Sequence, residues 1–169
     1  MSIPEGTHKI GPSNGSLKVK TGKEGAAAKM GHDLVLVVNS WEATVEGGDS
    51  PSISLTADPG SIEVESGSGG AKPLGDKDKA DIKKSIGAKV LGSSQVTFTS
   101  SSVDDSAAQG DLSIAGNSSS VSVPLQVSGD KISGSLTLSQ KDYGIKQFSA
   151  MMGALKVKDQ VTVDFEGTL

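Results

Sequence analysis

The chain has 169 residues and a formal net charge of -4, with 34% hydrophobic and 3% aromatic residues, 22 glycines and no cysteine. That length fits one domain with one core or one internal cavity, and the apolar volume must come chiefly from Val, Leu, Ile and Ala. All 16 basic residues are lysines spread among carboxylates, which excludes the arginine-rich surfaces that read nucleic acid, and the lack of cysteine excludes a disulfide framework, a thiol nucleophile and a thiolate zinc site.

In chain order, Met1-Ser2-Ile3-Pro4-Glu5-Gly6 lacks the basic and apolar regions of a secretory signal, so a cytoplasmic location is expected. Thr7 to Gly11 and Leu17 to Lys20 predict two strands around a Gly/Pro/Asn turn. Gly25 to Ala28 fits either a loop or a short helical turn. Leu34 to Val38 is the longest apolar run, five residues, too short to span a membrane. It belongs to a strand over 33–38, followed by a strand from Trp41 to Glu46 with Trp41, Ala43 and Val45 on one face. Two more alternating strands, 52–57 and 61–65, flank an Asp58-Pro59-Gly60 turn.

The Gly/Ser-rich stretch 66–75 leads into the one convincing helix, with Asp76 as its cap and Ile82, Ile86 and Val90 on one face. It reads as a packed surface element in which Gly87 ends the regular part early. The second half is strand: 95–101, 110–115, 120–127, 132–139 and 160–167. Turns are expected at Gly110, Gly116-Asn117 and Gly129-Asp130. About eight to ten short strands predict a sandwich or an up-and-down barrel.

Catalytic signatures are absent: there is neither a Gly-x-Ser-x-Gly elbow nor a His-Glu-x-x-His helix. Gly67-Ser68-Gly69-Gly70-Ala71-Lys72 has the wrong spacing for a phosphate loop and reads as a flexible connection. His8 and His32 are the two imidazoles; His32 next to Asp33 is a hydrogen-bonding residue near a strand start, or a ligand contact. Asp76, Asp78 and Asp81 depart from calcium-loop spacing and fit helix capping. Met151 and Met152, beside Phe148 and Leu155, offer an adaptable apolar surface that either packs in the core or lines a cavity.

The run from Gln140 through Asp142-Tyr143-Gly144 to Phe148, followed by Gly153-Ala154-Leu155-Lys156-Val157-Lys158-Asp159 and a closing alternating strand, resembles the YceI-like, polyisoprenoid-binding family. Gly31-His32-Asp33-Leu34, the strand pair between Ile53 and Val64, Gly69 to Leu74 before the helix, and Gly110 to Ile114 fit the same pattern in order and spacing. The variant containing Gly31-His32-Asp33 is most similar to actinobacterial members. The resemblance implies a single domain over 1–169, all-β with one short helix. It would be an extended lipocalin-like antiparallel β-barrel that holds an isoprenoid-type lipid or similar amphiphile, with no catalytic group, metal or cofactor. It is compatible with a homodimer.

Two elements depart from it. Gly116 to Ser120 replaces a Thr-Arg-Pro-like segment, and Gln140-Lys141 stands where Arg is common before Asp-Tyr-Gly. On this reading Trp41, Phe98, Tyr143, Phe148, Met151, Met152 and Leu155 are expected to line the ligand site, with His32 as a polar contact. Two other readings remain open on the residues alone: a structural or protein-interaction barrel packed with its own side chains, and an enzyme using His32 and Asp33.

Overall fold

Strand after strand, the alternation becomes a strongly curled antiparallel sheet. A computed structural model describes residues 2–70 and 72–169; Met1, and Ala71 within the Gly/Ser-rich stretch, lie outside the described residues. In chain order the strands are β1 (Gly6–Ile10), β2 (Gly15–Thr21), β3 (Lys23–Glu24), β4 (His32–Val38), β5 (Trp41–Gly47), β6 (Ser52–Ala57) and β7 (Ile62–Gly69). After the helix α1 (Asp76–Ser85) come β8 (Val96–Val103), β9 (Ala107–Ile114), β10 (Asn117–Ser128), β11 (Lys131–Ser139), β12 (Ser149–Ala150), β13 (Leu155–Val157) and β14 (Gln160–Thr168).

Eleven of these strands form one sheet in the order β1-β5-β6-β8-β9-β10-β11-β14-β2-β4-β7, all antiparallel neighbours, and β12-β13-β3 form a second, small sheet. The large sheet curls into a half-barrel of the lipocalin-like kind. The curl passes through β10, which pairs with β9 from Asn117 to Pro124 and with β11 from Leu125 to Ser128. Pro124 has no N–H to donate and sits where the strand changes partner.

The long strands form largely where the sequence predicts them, because each buries one face and wets the other; β7 runs further than expected, since residues 67–69, read as part of a flexible connection, pair with Leu34, Asp33 and His32 of β4. Trp41, Ala43 and Val45 on β5 are buried while Glu42 is exposed. Gly110, expected in a turn, instead lies mid-strand in β9, opposite Val121. A Cβ there would run into the carbonyl of Thr99 on β8, so the glycine serves strand packing. The turn comes earlier, at 104–106, where the Asp104 carboxylate accepts hydrogen bonds from Ser106 N, Ser106 Oγ and Ala107 N, all at 2.8 Å. Those bonds hold its pKa below the usual carboxylate value.

The helix is capped differently from expectation. Gly75 is the N-cap and Asp78 accepts from the Gly75 N–H at 3.0 Å, while Asp76 is the first helical residue. After Ser85 the chain continues as a π-helical turn, Ile86–Leu91, containing Gly87. Lys83 ties α1 to the start of β7 through Glu63 at 2.6 Å and the Gly60 carbonyl at 3.1 Å. Ala28–Met30 settles the ambiguity of the alanine stretch as a 3-10 turn.

Candidate functional site

The concave face of the half-barrel encloses a cavity of about 440 Å³. Its wall is the apolar face of nearly every long strand: Leu17 and Val19 from β2, Leu36 and Val38 from β4, Phe98 from β8, Leu125 from β10, and Val161, Val163 and Phe165 from β14. Gly134 on β11 pairs with Phe165 and also lies in the wall; a Cβ there would press on the Leu125 and Val123 side chains of β10 at 3.2 Å. Behind Phe165 stands Trp41, 6% exposed, whose ring meets the Phe165 ring edge-on at 5.7 Å and 76°.

The cover comes from α1 and its π-helical continuation. Ile82, Ile86, Val90 and Leu91 all face the cavity, so the apolar stripe at helical spacing closes the open side of the sheet instead of merely packing on its surface.

Polar side chains in the wall are few: Thr21, Asp58, Asp81, Ser85 and Gln140. Asp58 is engaged in its own turn, accepting from Gly60 N at 2.9 Å. Gln140 is buried and its Nε2 donates to the Lys158 carbonyl at 3.1 Å. The Thr21 Oγ1 is buried and has no hydrogen-bond partner among the described residues, an arrangement that costs free energy unless something in the cavity pairs with it. Among the described residues no lysine or histidine reaches the wall.

Comparison with known proteins places this geometry. The YceI-like domain model matches residues 24–169. The chain belongs to the YceI-like family. Two solved structures share the fold. The crystal structure of BcnA from Burkholderia cenocepacia is 17% identical, with a TM-score of 0.63 over 90% of this chain and 94% of that one. A mutant CJ YCEI protein solved for nanotechnology applications is 12% identical, with a TM-score of 0.56 over 79% of this chain and 82% of that one. No curated protein matches the sequence significantly. YceI-like chains are generally of a binding type, and no helix among the described residues is long and apolar enough to cross a membrane.

Within this YceI-like half-barrel the residues singled out from sequence part into three groups. Phe98 and Phe148 stand in the cavity wall. Trp41 and Tyr143 are buried but do not line the cavity. Burial raises the Tyr143 phenol above its ordinary pKa, and Ser119 lies near enough to oppose this without completing a good hydrogen bond. The third group leaves the wall altogether: Met151 and Met152 are exposed, and Leu155 is half-buried against Gly31, where a Cβ would strike it. The methionines stand outside because their turn, Met151–Gly153, lies at the tip of the β12–β13 hairpin instead of at its base.

His32 also stays out of the wall. Its Nε2 lies 2.7 Å from the Lys72 carbonyl, so that nitrogen carries the proton, and the ring covers Gly70, where a Cβ would collide with it. Asp33 points the other way, as adjacent strand residues must, and accepts from the Lys23 N–H at 3.1 Å. Sequence reasoning missed Thr21, Gln140 and the cavity role of Ile82 and Ile86. The helical spacing of the isoleucines was a usable signal; nothing in the local pattern marked Thr21.

Proposed function

We propose that this YceI-like protein binds, stores or carries an apolar isoprenoid-type lipid, such as a polyisoprenoid or an isoprenoid quinone, in the cavity of the half-barrel, without chemistry on it. One observation carries the reading: the wall is overwhelmingly apolar, yet the chain's own side chains leave about 440 Å³ unfilled between them. That volume lies in the range of roughly 300–1,000 Å³ usual for small-ligand pockets. A self-packed structural barrel would close such a space, because an unfilled apolar void forfeits dispersion contacts along its lining.

Binding would draw on burial of apolar ligand surface, at about 25 cal/mol per Å², so affinity rises with chain length. The polar groups favour an uncharged head. With carboxylates but no cation among the described residues of the wall, a buried phosphate would lack a partner there, whereas a hydroxyl or carbonyl can pair with Thr21 Oγ1 or the Gln140 amide. Gln140-Lys141 stands where the family resemblance leads one to expect arginine, and of the two only Gln140 lies in the wall.

The test is organic extraction of purified protein followed by mass spectrometry, together with uptake of a neutral prenyl lipid by the delipidated chain. Leu136 is half-buried in the wall, and Leu136→Trp fills the space from inside. Expected is a neutral, chain-like lipid in the native extract and at least a tenfold loss of uptake in Leu136→Trp while the β circular-dichroism signal persists. An empty extract with no uptake by the delipidated chain rules the reading out.

A further inference from the structure

Among the described residues three large apolar side chains stand in water, on two turns that the backbone joins. Met30 is 52% exposed, Met151 54% and Met152 fully exposed. The Ala27 N–H donates to the Ala154 carbonyl at 2.7 Å, joining the 3-10 turn that ends at Met30 to the turn that begins at Met151. The backbone holds the pair outward: Met151 and Met152 take φ of 53° and 57°, the left-handed region that side-chain-bearing residues seldom enter. Nothing packs on Met152 to compensate, and exposed apolar clusters of this kind mark interaction sites.

Charge at this place runs against the rest of the chain. Residues 25–32 carry Lys29 and residues 143–158 carry Lys146, Lys156 and Lys158, and neither stretch contains a carboxylate, in a chain of net charge -4. The acids that bound these stretches are Glu24, Asp33, Asp142 and Asp159; Glu24 accepts from Gln147 Nε2, Asp33 from the Lys23 N–H, and Asp159 from Ser139 Oγ and the Lys141 N–H.

The same hairpin reaches the cavity. At its base Phe148 and Val157 both face the interior, joined by a hydrogen bond from Val157 N to the Phe148 carbonyl at 3.0 Å. Ser149 and Ala150 then pair with Lys156 and Leu155, and the methionines follow at the tip.

We propose that this methionine tip docks on the surface of an anionic lipid bilayer, with Met151 and Met152 entering the headgroup layer and the lysines facing lipid phosphates. Soft apolar side chains on segments that carry lysines and no carboxylate suit that boundary, where apolar insertion and attraction to anionic lipid add. The purpose of the docking, to bring the cavity rim to the membrane where a lipid enters or leaves, rests on the binding reading above; the docking itself is measured apart from it.

The experiment is flotation of the full chain with vesicles of phosphatidylcholine, or of phosphatidylcholine with phosphatidylglycerol, at low and high salt, with lipid content of the same preparation read by mass spectrometry. Expected is flotation with the anionic vesicles, at least tenfold weaker with neutral vesicles or high salt. Met151→Ser/Met152→Ser should lose at least tenfold, and Lys146→Glu roughly fivefold or more.

Met152→Gly separates a structural from a docking role, since glycine suits that φ: its thermal stability should equal or exceed the parent's while its flotation falls. The proposal is overturned if the parent stays in the dense layer with anionic vesicles, or if the serine variant floats as the parent does. Met151- and Met152-dependent dimerisation in sedimentation velocity, without flotation, would also overturn it in favour of a second copy of this chain. A chain that floats but never holds lipid sinks the cavity reading and keeps the docking; one that holds lipid but never floats does the reverse.

Discussion

Strand β14 and the β12–β13 hairpin lie within twenty residues of each other and are built on opposite terms. β14 is paired along nearly its whole length, with β11 on one side and β2 on the other. Val161, Val163 and Phe165 face the cavity, while Asp164 turns outward to Lys20 at 2.9 Å and to Ser135 at 2.8 Å. The hairpin has strands of two and three residues, and its turn holds two exposed methionines in left-handed backbone. In the wall each residue's position is fixed by two neighbouring strands and one apolar face. At the rim almost nothing is fixed by burial, which leaves the side chains available for contact with something else.

The sharpest way to break this contrast is to load each region with the wrong backbone residue. Gly110→Val puts a branched side chain into the Thr99 carbonyl and the Ser100 backbone, and β8 and β9 cannot part without losing their register. The expected cost is about 3 kcal/mol or more, or no folded protein at all. Urea denaturation measures it, and wild-type stability in Gly110→Val would mean that the wall yields as easily as the rim.

A smaller effect is expected where wall and rim meet. Tyr143 is 1% exposed and ends the 3-10 turn Gln140–Tyr143 that follows β11. Its ring fills space, but its hydroxyl is buried without a well-formed hydrogen bond. Tyr143→Phe keeps the ring and removes the poorly paired group, so stability should stay within about 1 kcal/mol of the parent or rise. A loss of 2 kcal/mol or more on the same denaturation curve would show that the hydroxyl is fully satisfied in solution.

The contrast also explains what could be read from the sequence. The wall was legible because alternation, turn residues and strand length agree there; Val96 and Phe98, Leu112 and Ile114, Leu136 and Leu138 all end up facing the cavity as apolar pairs at period two. Strands β3, β12 and β13 were not legible, because two or three residues carry no period. Met151 and Met152 looked like wall or core by hydrophobicity alone, and only the left-handed turn at the hairpin tip turns them outward. Gly110 misled for a related reason: glycine signals a turn by its φ, whereas here it serves the close approach of two strands, which composition cannot express. His32 beside Asp33 suggested a pair, but strand geometry sends the two side chains to opposite faces.

The smallest expected effect is that of pH, and it tests the seam between the two regions. Asp159, in the turn between β13 and β14, accepts from Ser139 Oγ and from Lys141 N at 2.9 Å, joining the end of the wall to the chain that enters the rim. The Ser139 hydrogen bond is the chief cause of its lowered pKa, and on the outer face of β14 the bond from Lys20 lowers that of Asp164. A carboxylate whose pKa is lower folded than unfolded stabilises the fold above the unfolded value, about 3.9 for Asp, and loses that contribution as pH falls through the folded value. Stability should therefore be flat from neutral pH to about pH 5 as far as these groups are concerned, and fall below about pH 4. Both carboxylates sit near the surface, so the fall is shallow and softened by salt. In Asp159→Asn the acid-side slope should be reduced, and Lys20→Ala, which strips Asp164 of its cation, should bring its folded pKa back toward the unfolded value and so make the remaining fall smaller and complete at a higher pH. Thermal melts between pH 3 and pH 7 read both. An Asp159→Asn slope identical to the parent's would mean that the Ser139 bond does not persist in solution and that the wall and the rim are joined by backbone pairing alone.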